Sequence, residues 1–353
     1  MATNVSGTNW TWTVQQLSGF DGLAIKKEAI PHQLGDHDCL VKIESTSLNY
    51  RDLMIPMGTY PFPMKTGVVP GSDGAGTVIE TGSRVSRFQK GDRVCTILSQ
   101  GHIAGPATPE ILQTGLGGSL DGTLRQYGVF DESGMVHMPS TLTFAEASAL
   151  PCAGVTAWNA LYGLTGRALK AGDTVLTLGT GGVSIFAIQF AVAAGATVIA
   201  TTSSAAKAAR LKELGAQHVI NYRDDAQWGE TAKALTAGQG VDFVVEVGGA
   251  ATLPQSLAAI KMDGILSIVG AVGGQDSKDP EPGLLNAWFR GCIVRGIAVG
   301  SRAQFEEMNR CIVANHIKPV VDQKTFHLRE LKEAYQYLWE QRHVGKVVVD
   351  SAV

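Results

Sequence analysis

Residues 173 to 210 constrain this chain more than any other stretch. They read Asp173-Thr174-Val175-Leu176-Thr177-Leu178-Gly179-Thr180-Gly181-Gly182-Val183-Ser184, then an apolar run to Ala194, then Gly195-Ala196-Thr197-Val198-Ile199-Ala200-Thr201-Thr202-Ser203-Ser204-Ala205-Ala206-Lys207. The β-branched run predicts a strand over 174–178. The glycines predict a tight turn, the apolar run a helix over 183–194, and Thr197 to Thr201 a second strand. Strand, glycine turn, helix and strand in that order make the first βαβ unit of a dinucleotide-binding sheet. Gly179, Thr180, Gly181, Gly182 and Val183 would then face a pyrophosphate, whose charge sits at the free amides opening the helix. Ser184 stands where a third small residue, Gly or Ala, is usual.

The end of the second strand bears on which dinucleotide is bound. An NAD site usually offers an Asp or Glu about 20 residues past the glycines, where it meets the ribose hydroxyls. Here the region reads Thr201, Thr202, Ser203 and Ser204, with Lys207 and Arg210 following and no acid among them. An acid would repel a 2′-phosphate, whereas hydroxyls and a cation bind it by charge-assisted hydrogen bonds. NADP(H) is the cofactor expected. The same residues would also serve a plain helix start, with serine as N-cap and the cations in solvent.

At 353 residues the chain is too long for one ordinary core, so two domains are expected. A formal net charge of −3 gives no reason to expect nucleic acid or an anionic membrane as partner. The five cysteines are odd in number, scattered and never spaced C-x-x-C, which argues against a disulfide framework or a zinc knuckle. The N-terminus shows no basic region followed by an apolar one. The longest apolar run, 185–194, is too short to span a bilayer. A cytoplasmic protein is expected.

Residues 10 to 50 alternate apolar and polar, and 66 to 98 continue the pattern between repeated glycines. This predicts antiparallel strands in a partly closed barrel. Residues 99 to 123 read as a long loop. Thr143-Phe144-Ala145-Glu146 fits a capping box that opens a helical patch to Leu161, interrupted by Pro151. From 172 to about 300, strands (219–221, 241–247, 264–270, 293–299) alternate with helices, which predicts a doubly wound parallel sheet. A helix over 328–342 and a strand over 346–350 close the chain.

Several motifs occur in a recognisable order. They are Ser47-Leu48-Asn49-Tyr50-Arg51-Asp52-Leu53, Pro70-Gly71-Ser72-Asp73-Gly74-Ala75-Gly76, Gly91-Asp92-Arg93-Val94, Leu150-Pro151-Cys152-Ala153-Gly154-Val155-Thr156-Ala157-Trp158, the glycine stretch above, Val219-Ile220-Asn221-Tyr222, and Gly345-Lys346-Val347-Val348. Over nearly its whole length the chain resembles the medium-chain dehydrogenase/reductases, and among them the zinc-free branch of quinone-oxidoreductase-like and enoyl-reductase-like proteins.

The resemblance implies an α/β protein in two domains. One is a GroES-like, β-rich catalytic domain over 1–145 and 319–353; the other is a Rossmann NADP(H)-binding domain over 146–318. It implies an active site where the two meet and a homodimer paired through an edge strand such as 293–299. Zinc-dependent relatives hold catalytic zinc through a Cys, a His with a neighbouring Glu, and a second Cys. The matching positions here are Asn49, Ser72 with Asp73, and Cys152. Amide and hydroxyl groups are poor zinc ligands, so no metal is expected.

Asn49 would face the nicotinamide and bond either the cofactor's ribose or the substrate oxygen, unless it only holds its loop together. Tyr60 matches a tyrosine beside the substrate and could donate a hydrogen bond or proton, unless it only packs under a loop. Tyr222 would lie near the 2′-phosphate beside Lys207. Thr156, Val247, Gly270 and Val272 would line the nicotinamide end. Ser301, Arg302 and Lys346 would close around the nicotinamide and phosphates. The function implied is a zinc-independent, NADPH-dependent oxidoreductase that passes hydride to an α,β-unsaturated carbonyl or quinone as its small-molecule substrate. The alternatives are an alcohol dehydrogenase or carbonyl reductase of the same family, or a protein that binds NADPH without catalysis.

Overall fold

The structure, a computed structural model, describes residues 5–270, 283 and 285–352. Its contacts divide the chain into two units, Met1–Val155 with Ser301–Val353, and Thr156–Gly300.

The second unit is built on six parallel strands in the spatial order His218–Asn221, Thr197–Thr202, Thr174–Leu178, Val241–Glu246, Ile260–Ile268, Ile293–Gly296. The chain winds outward from Thr174–Leu178 in one direction and then, from Val241, in the other. The strand order therefore reverses between these two neighbours, where doubly wound sheets take their ligands. The strands are near-continuous apolar runs because helices cover both faces. Leu176, Leu178, Ile199, Val244 and Leu266 lie in one buried cluster with Trp228 and Leu257. Helix Gly182–Ala193 is apolar almost all round and buries Ile185, Phe186, Ile188 and Phe190.

The strand expected over 264–270 runs instead from Ile260 to Ile268, and the one expected over 293–299 ends at Gly296. Val299 has a φ of 57°, a left-handed conformation that a β-branched residue rarely adopts and that a strand cannot contain.

The first unit carries a seven-stranded sheet. Its order is Val321–His327, Lys346–Asp350, Asp38–Ser47, Asp73–Thr81, Arg93–Thr96, Met135–His137, with Tyr127–Asp131 also pairing to Asp38–Ser47. All pairs are antiparallel except the first. A separate hairpin joins Thr8–Val14 to Leu23–Ala29. Helix Leu331–Trp339 turns Leu331, Ala334, Tyr335 and Leu338 into a core shared with Trp12, Leu48, Leu53 and Val347.

The division falls at 155/156 and 300/301, not at 145/146 and 318/319 as expected. Helix Arg302–Ala314 accounts for much of the difference. Its buried face, Phe305, Met308 and Ile312, belongs to the first unit, where Arg302 N–H donates to His102 O at 2.8 Å and Ala303 N–H to Ile103 O at 3.0 Å. Pro151 interrupts the α-helix, as expected, between Phe144–Ser148 and Val155–Tyr162. It sits in a π-helical turn, Leu150–Gly154, that runs directly into helix Val155–Tyr162.

Candidate active site

In the second unit the end of strand Thr174–Leu178 is shaped to receive an anion. Gly179 has φ 73°, which favours glycine, and its N–H donates to Thr201 O at 3.0 Å, tying the turn to the neighbouring strand. Gly181 is the N-cap of the 12-residue helix Gly182–Ala193, and no side chain caps it. A Cβ at Gly179 or Gly181 would meet nothing within 4 Å, so the space in front of the helix amides is open. Thr180 is buried beside them, and Gly182 and Val183 begin the helix. Ser184, where a smaller residue is usual, fits because its buried hydroxyl donates to Leu178 O at 2.6 Å and pins helix to strand. A dinucleotide's pyrophosphate suits this cradle.

The next strand ends in Thr201 and Thr202, both buried, and Thr202 Oγ1 has no hydrogen-bond partner. Ser203 follows, and Ser204 caps helix Ala205–Glu213, accepting from Lys207 N–H at 3.3 Å. Tyr222 is exposed, and its N–H bonds Thr202 O at 3.0 Å, so it stands at the same strand ends. Thr156 is buried in helix Val155–Tyr162. Val247 follows the fourth strand, and a Cβ at Gly270 would lie 3.8 Å from Val247 O. Val272 lies outside the described residues.

The loop carrying Val247 is held by a residue the sequence reading passed over. Glu246 is fully buried and accepts from Gly248 N–H (2.7 Å), Gly249 N–H (3.1 Å), Thr252 Oγ1 (2.6 Å) and Ser256 Oγ. An acid followed by two glycines and a threonine was the available signal.

The first unit gathers a charged cluster around helix Tyr50–Met54. Asn49 is its N-cap, in capping-box relation with Asp52: Asn49 N–H donates to Asp52 Oδ2 at 2.8 Å, while the Asn49 side chain makes no cap hydrogen bond. Its Oδ1 instead accepts from the Lys346 ammonium, and its Nδ2 is buried without a partner. Lys346 is 3% exposed; its Nζ also donates to Leu48 O at 2.6 Å and lies 3.6 Å from Asp73 Oδ2. Asp73, fully buried, further accepts from Ser72 Oγ (2.7 Å), Ser47 Oγ (3.2 Å) and Cys152 N–H (3.3 Å). Burial, and after it Asp73, pushes the Cys152 thiol up to about 12. Burial likewise raises the Asp52 carboxyl to about 6, against the opposing pull of Arg51. Arg51 Nε donates to Tyr60 Oη at 3.1 Å.

Three residues expected to close around the cofactor have local partners in the first unit. Lys346 donates to Asn49 Oδ1 and Leu48 O and pairs with Asp73. Ser301 is a buried N-cap, its Oγ accepting from Gln304 N–H at 3.2 Å and its own N–H bonding Gln304 Oε1 at 2.8 Å. Arg302 reaches Ser133 O at 3.0 Å and Glu306 at 3.6 Å. The Ser301-x-x-Gln304 spacing is a capping box and could have shown the structural role.

Residues 35–140 match the alcohol dehydrogenase GroES-like domain, and 182–314 match the zinc-binding dehydrogenase family. A zinc-type alcohol dehydrogenase-like protein of Schizosaccharomyces pombe is 45% identical over 335 residues, covering 95% of this chain and 96% of that protein. The chain belongs to the medium-chain dehydrogenase/reductase superfamily. It is an oxidoreductase of that superfamily. A putative alcohol dehydrogenase from Sinorhizobium meliloti 1021 shares its fold, with a TM-score of 0.89, 37% identity and coverage of 98% of this chain and 99% of that one. An acryloyl-coenzyme A reductase of Metallosphaera sedula is 28% identical over 321 residues, covering 89% of this chain and 92% of that protein.

Zinc-dependent medium-chain dehydrogenase/reductases raise the question of a metal. At the matching positions this member offers an amide, a hydroxyl, a carboxylate in contact with an ammonium, and a single thiol. Among the described residues no three His, Cys, Asp or Glu side chains group to hold a metal ion. Zinc binds thiolates, imidazoles and carboxylates, so only Cys152 and Asp73 are donors of its kind, one short of the three protein ligands of a catalytic site, and the set does not fit it. Among the described residues, no helix is long and apolar enough to cross a membrane.

Proposed function

We propose that this medium-chain dehydrogenase/reductase is a zinc-independent, NADPH-dependent reductase of α,β-unsaturated carbonyls or quinones. The observation that carries the reading is Lys346. A fixed ammonium touches Asn49 and Asp73 at positions where zinc relatives keep ligands, so a divalent cation would have to displace a buried positive charge. Bound NADPH would supply the hydride. The chain's own residues would hold it by the amides at Gly181 and Gly182, with the hydroxyls of Thr202 and Ser203, Lys207 and Tyr222 around a 2′-phosphate. Without a metal, charge arriving on the substrate oxygen must be met by hydrogen bonds, and the partnerless Asn49 Nδ2 and the Tyr60 hydroxyl are donors of the needed kind. The names of the relatives support the wider class, since they include alcohol dehydrogenases and an acryloyl-coenzyme A reductase.

The test is NADPH oxidation, followed optically against enones, quinones and aldehydes, with a chelator arm and an NADH control. Turnover of enones or quinones, specific to NADPH and unaffected by chelation, is the expected result. Aldehyde turnover abolished by the chelator would restore the zinc reading. Silence across the panel, with NADPH still bound, would leave a cofactor-binding protein.

The cofactor preference has its own check. Lys207→Ala should weaken NADPH binding by roughly tenfold to 100-fold, as expected for loss of a charged hydrogen bond worth about 1.5–3 kcal/mol. NADH binding should barely change. Equal weakening of both, measured by calorimetry, would remove Lys207 from the phosphate site.

A further inference from the structure

The Arg51 side chain is only 11% exposed and has five N–H donors and no acceptor. Nη1 is fixed to Leu116 O at 2.9 Å and lies 3.4 Å from Asp52 Oδ1. Nε donates to the Tyr60 phenol oxygen at 3.1 Å, and the guanidinium carbon stands 4.8 Å from the Tyr60 ring centroid. Phe62 packs edge-on against the same ring, with centroids 5.3 Å apart. Gly118 leaves just enough room, since a Cβ there would lie 3.2 Å from Arg51 Nη2 and 3.5 Å from Tyr60 Cε1.

This arrangement decides what the Tyr60 hydroxyl can do. A phenol oxygen both accepts and donates, but a guanidinium can only donate to it. With Nε–H filling a lone pair, the phenol proton must turn away from Arg51. We propose that Arg51 is a positioning residue that presents Tyr60 as an oriented hydrogen-bond donor to the carbonyl oxygen of the substrate. The inference rests on the reductase reading above. It requires a substrate oxygen that can accept, as the carbonyl oxygen of an enone or quinone does. Asp52, fully buried, is the group Arg51 neutralises, so Arg51 also has a structural duty that the test must separate.

Arg51→Lys separates the two. A lysine keeps the positive charge beside Asp52, but one ammonium cannot also reproduce the planar fork reaching Leu116 O and Tyr60. Tyr60→Phe should lower kcat by about 100-fold, within the range of a positioned proton donor, with little change in KM. Arg51→Lys should approach the same loss while staying folded, its melting temperature lowered only by the hydrogen bonds it gives up. The double variant should fall within about twofold of Tyr60→Phe alone, because the two residues act as one unit. Additive losses, or full activity in Arg51→Lys, would overturn the proposal.

A second measurement does not depend on turnover. In protein labelled at the tyrosine Cζ, with Tyr60→Phe giving the assignment, the Tyr60 signal should move in Arg51→Lys. It should also respond to added cyclohexanone, a carbonyl with no electrophilic β-carbon, in wild type only. The same cyclohexanone response in both proteins, or none in wild type, would refute positioning. If the response appears as expected but no acceptor is reduced, the reductase reading fails and the positioning stands. Gly118→Ala, which crowds both partners, should give an intermediate shift, and it replaces Arg51→Lys if that variant does not fold.

Discussion

Gly181→Asp is expected to abolish measurable NADPH binding while leaving the protein at least as stable as wild type. Gly181 has φ −75° and ψ 169°, an extended conformation open to any residue, and a Cβ there meets nothing within 4 Å. It is the N-cap of helix Gly182–Ala193 with no side-chain cap, and Asp is among the best N-cap residues. The new carboxylate would cap the helix amides and face the positive end of its dipole, adding about 0.3–1 kcal/mol. The same carboxylate would occupy the place of the pyrophosphate and repel it. Losing two charge-assisted hydrogen bonds, at about 1.5–3 kcal/mol each, weakens binding by roughly 100-fold or more. Gly181→Asn, of equal size and neutral, should lose less and so measure the share due to charge. Calorimetric titration with NADPH and a thermal melt read the two effects separately. Unchanged affinity in Gly181→Asp would mean that the pyrophosphate lies elsewhere, and a fall in both readouts would make Gly181 a structural glycine.

The strand, glycine turn and helix of the second unit were legible because their signals are local. A β-branched strand, three glycines and an apolar helix sit within about one βαβ unit, and the strand expected over 174–178 is found as Thr174–Leu178. The final strand, expected over 346–350, is likewise found as Lys346–Asp350. The domain boundary was not legible. The amphipathic pattern of Arg302–Ala314 states that one face is buried, and only the fold shows that Phe305, Met308 and Ile312 pack in the first unit. The end of strand Ile293–Gly296 was hidden too, because nothing in Ile297-Ala298-Val299 announces the left-handed φ of Val299. Asn49 and Tyr60 were singled out by family pattern, whereas the charges beside them were not understood. Asn49 and Lys346 are 297 positions apart, so their hydrogen bond follows from topology and leaves no periodicity to read.

That distant contact makes Lys346→Met the substitution with the largest expected effect on stability. Lys346 and Asp73 are both buried, and removing one member of such a pair leaves the other charge unmatched, at about 3–5 kcal/mol. The hydroxyls of Ser47 and Ser72 and the Cys152 amide still bond Asp73, so the loss should fall toward the lower end of that range. Leu48 O and Asn49 Oδ1 lose a donor at the same time, which works in the other direction. Native domains are stable by only about 5–15 kcal/mol, so the variant should unfold at markedly lower urea concentration. Asp73→Asn added to Lys346→Met removes the stranded charge and should recover part of the loss, giving a coupling energy in a double-mutant cycle. With its amide oxygen released, Asn49 can rotate, so the surviving folded fraction of Lys346→Met should also turn over more slowly. The competing role, closing on the cofactor's phosphates, predicts the reverse pattern. In that case Lys346→Met would keep its urea midpoint and lose only NADPH affinity, and a buried lysine in this cluster would need another explanation.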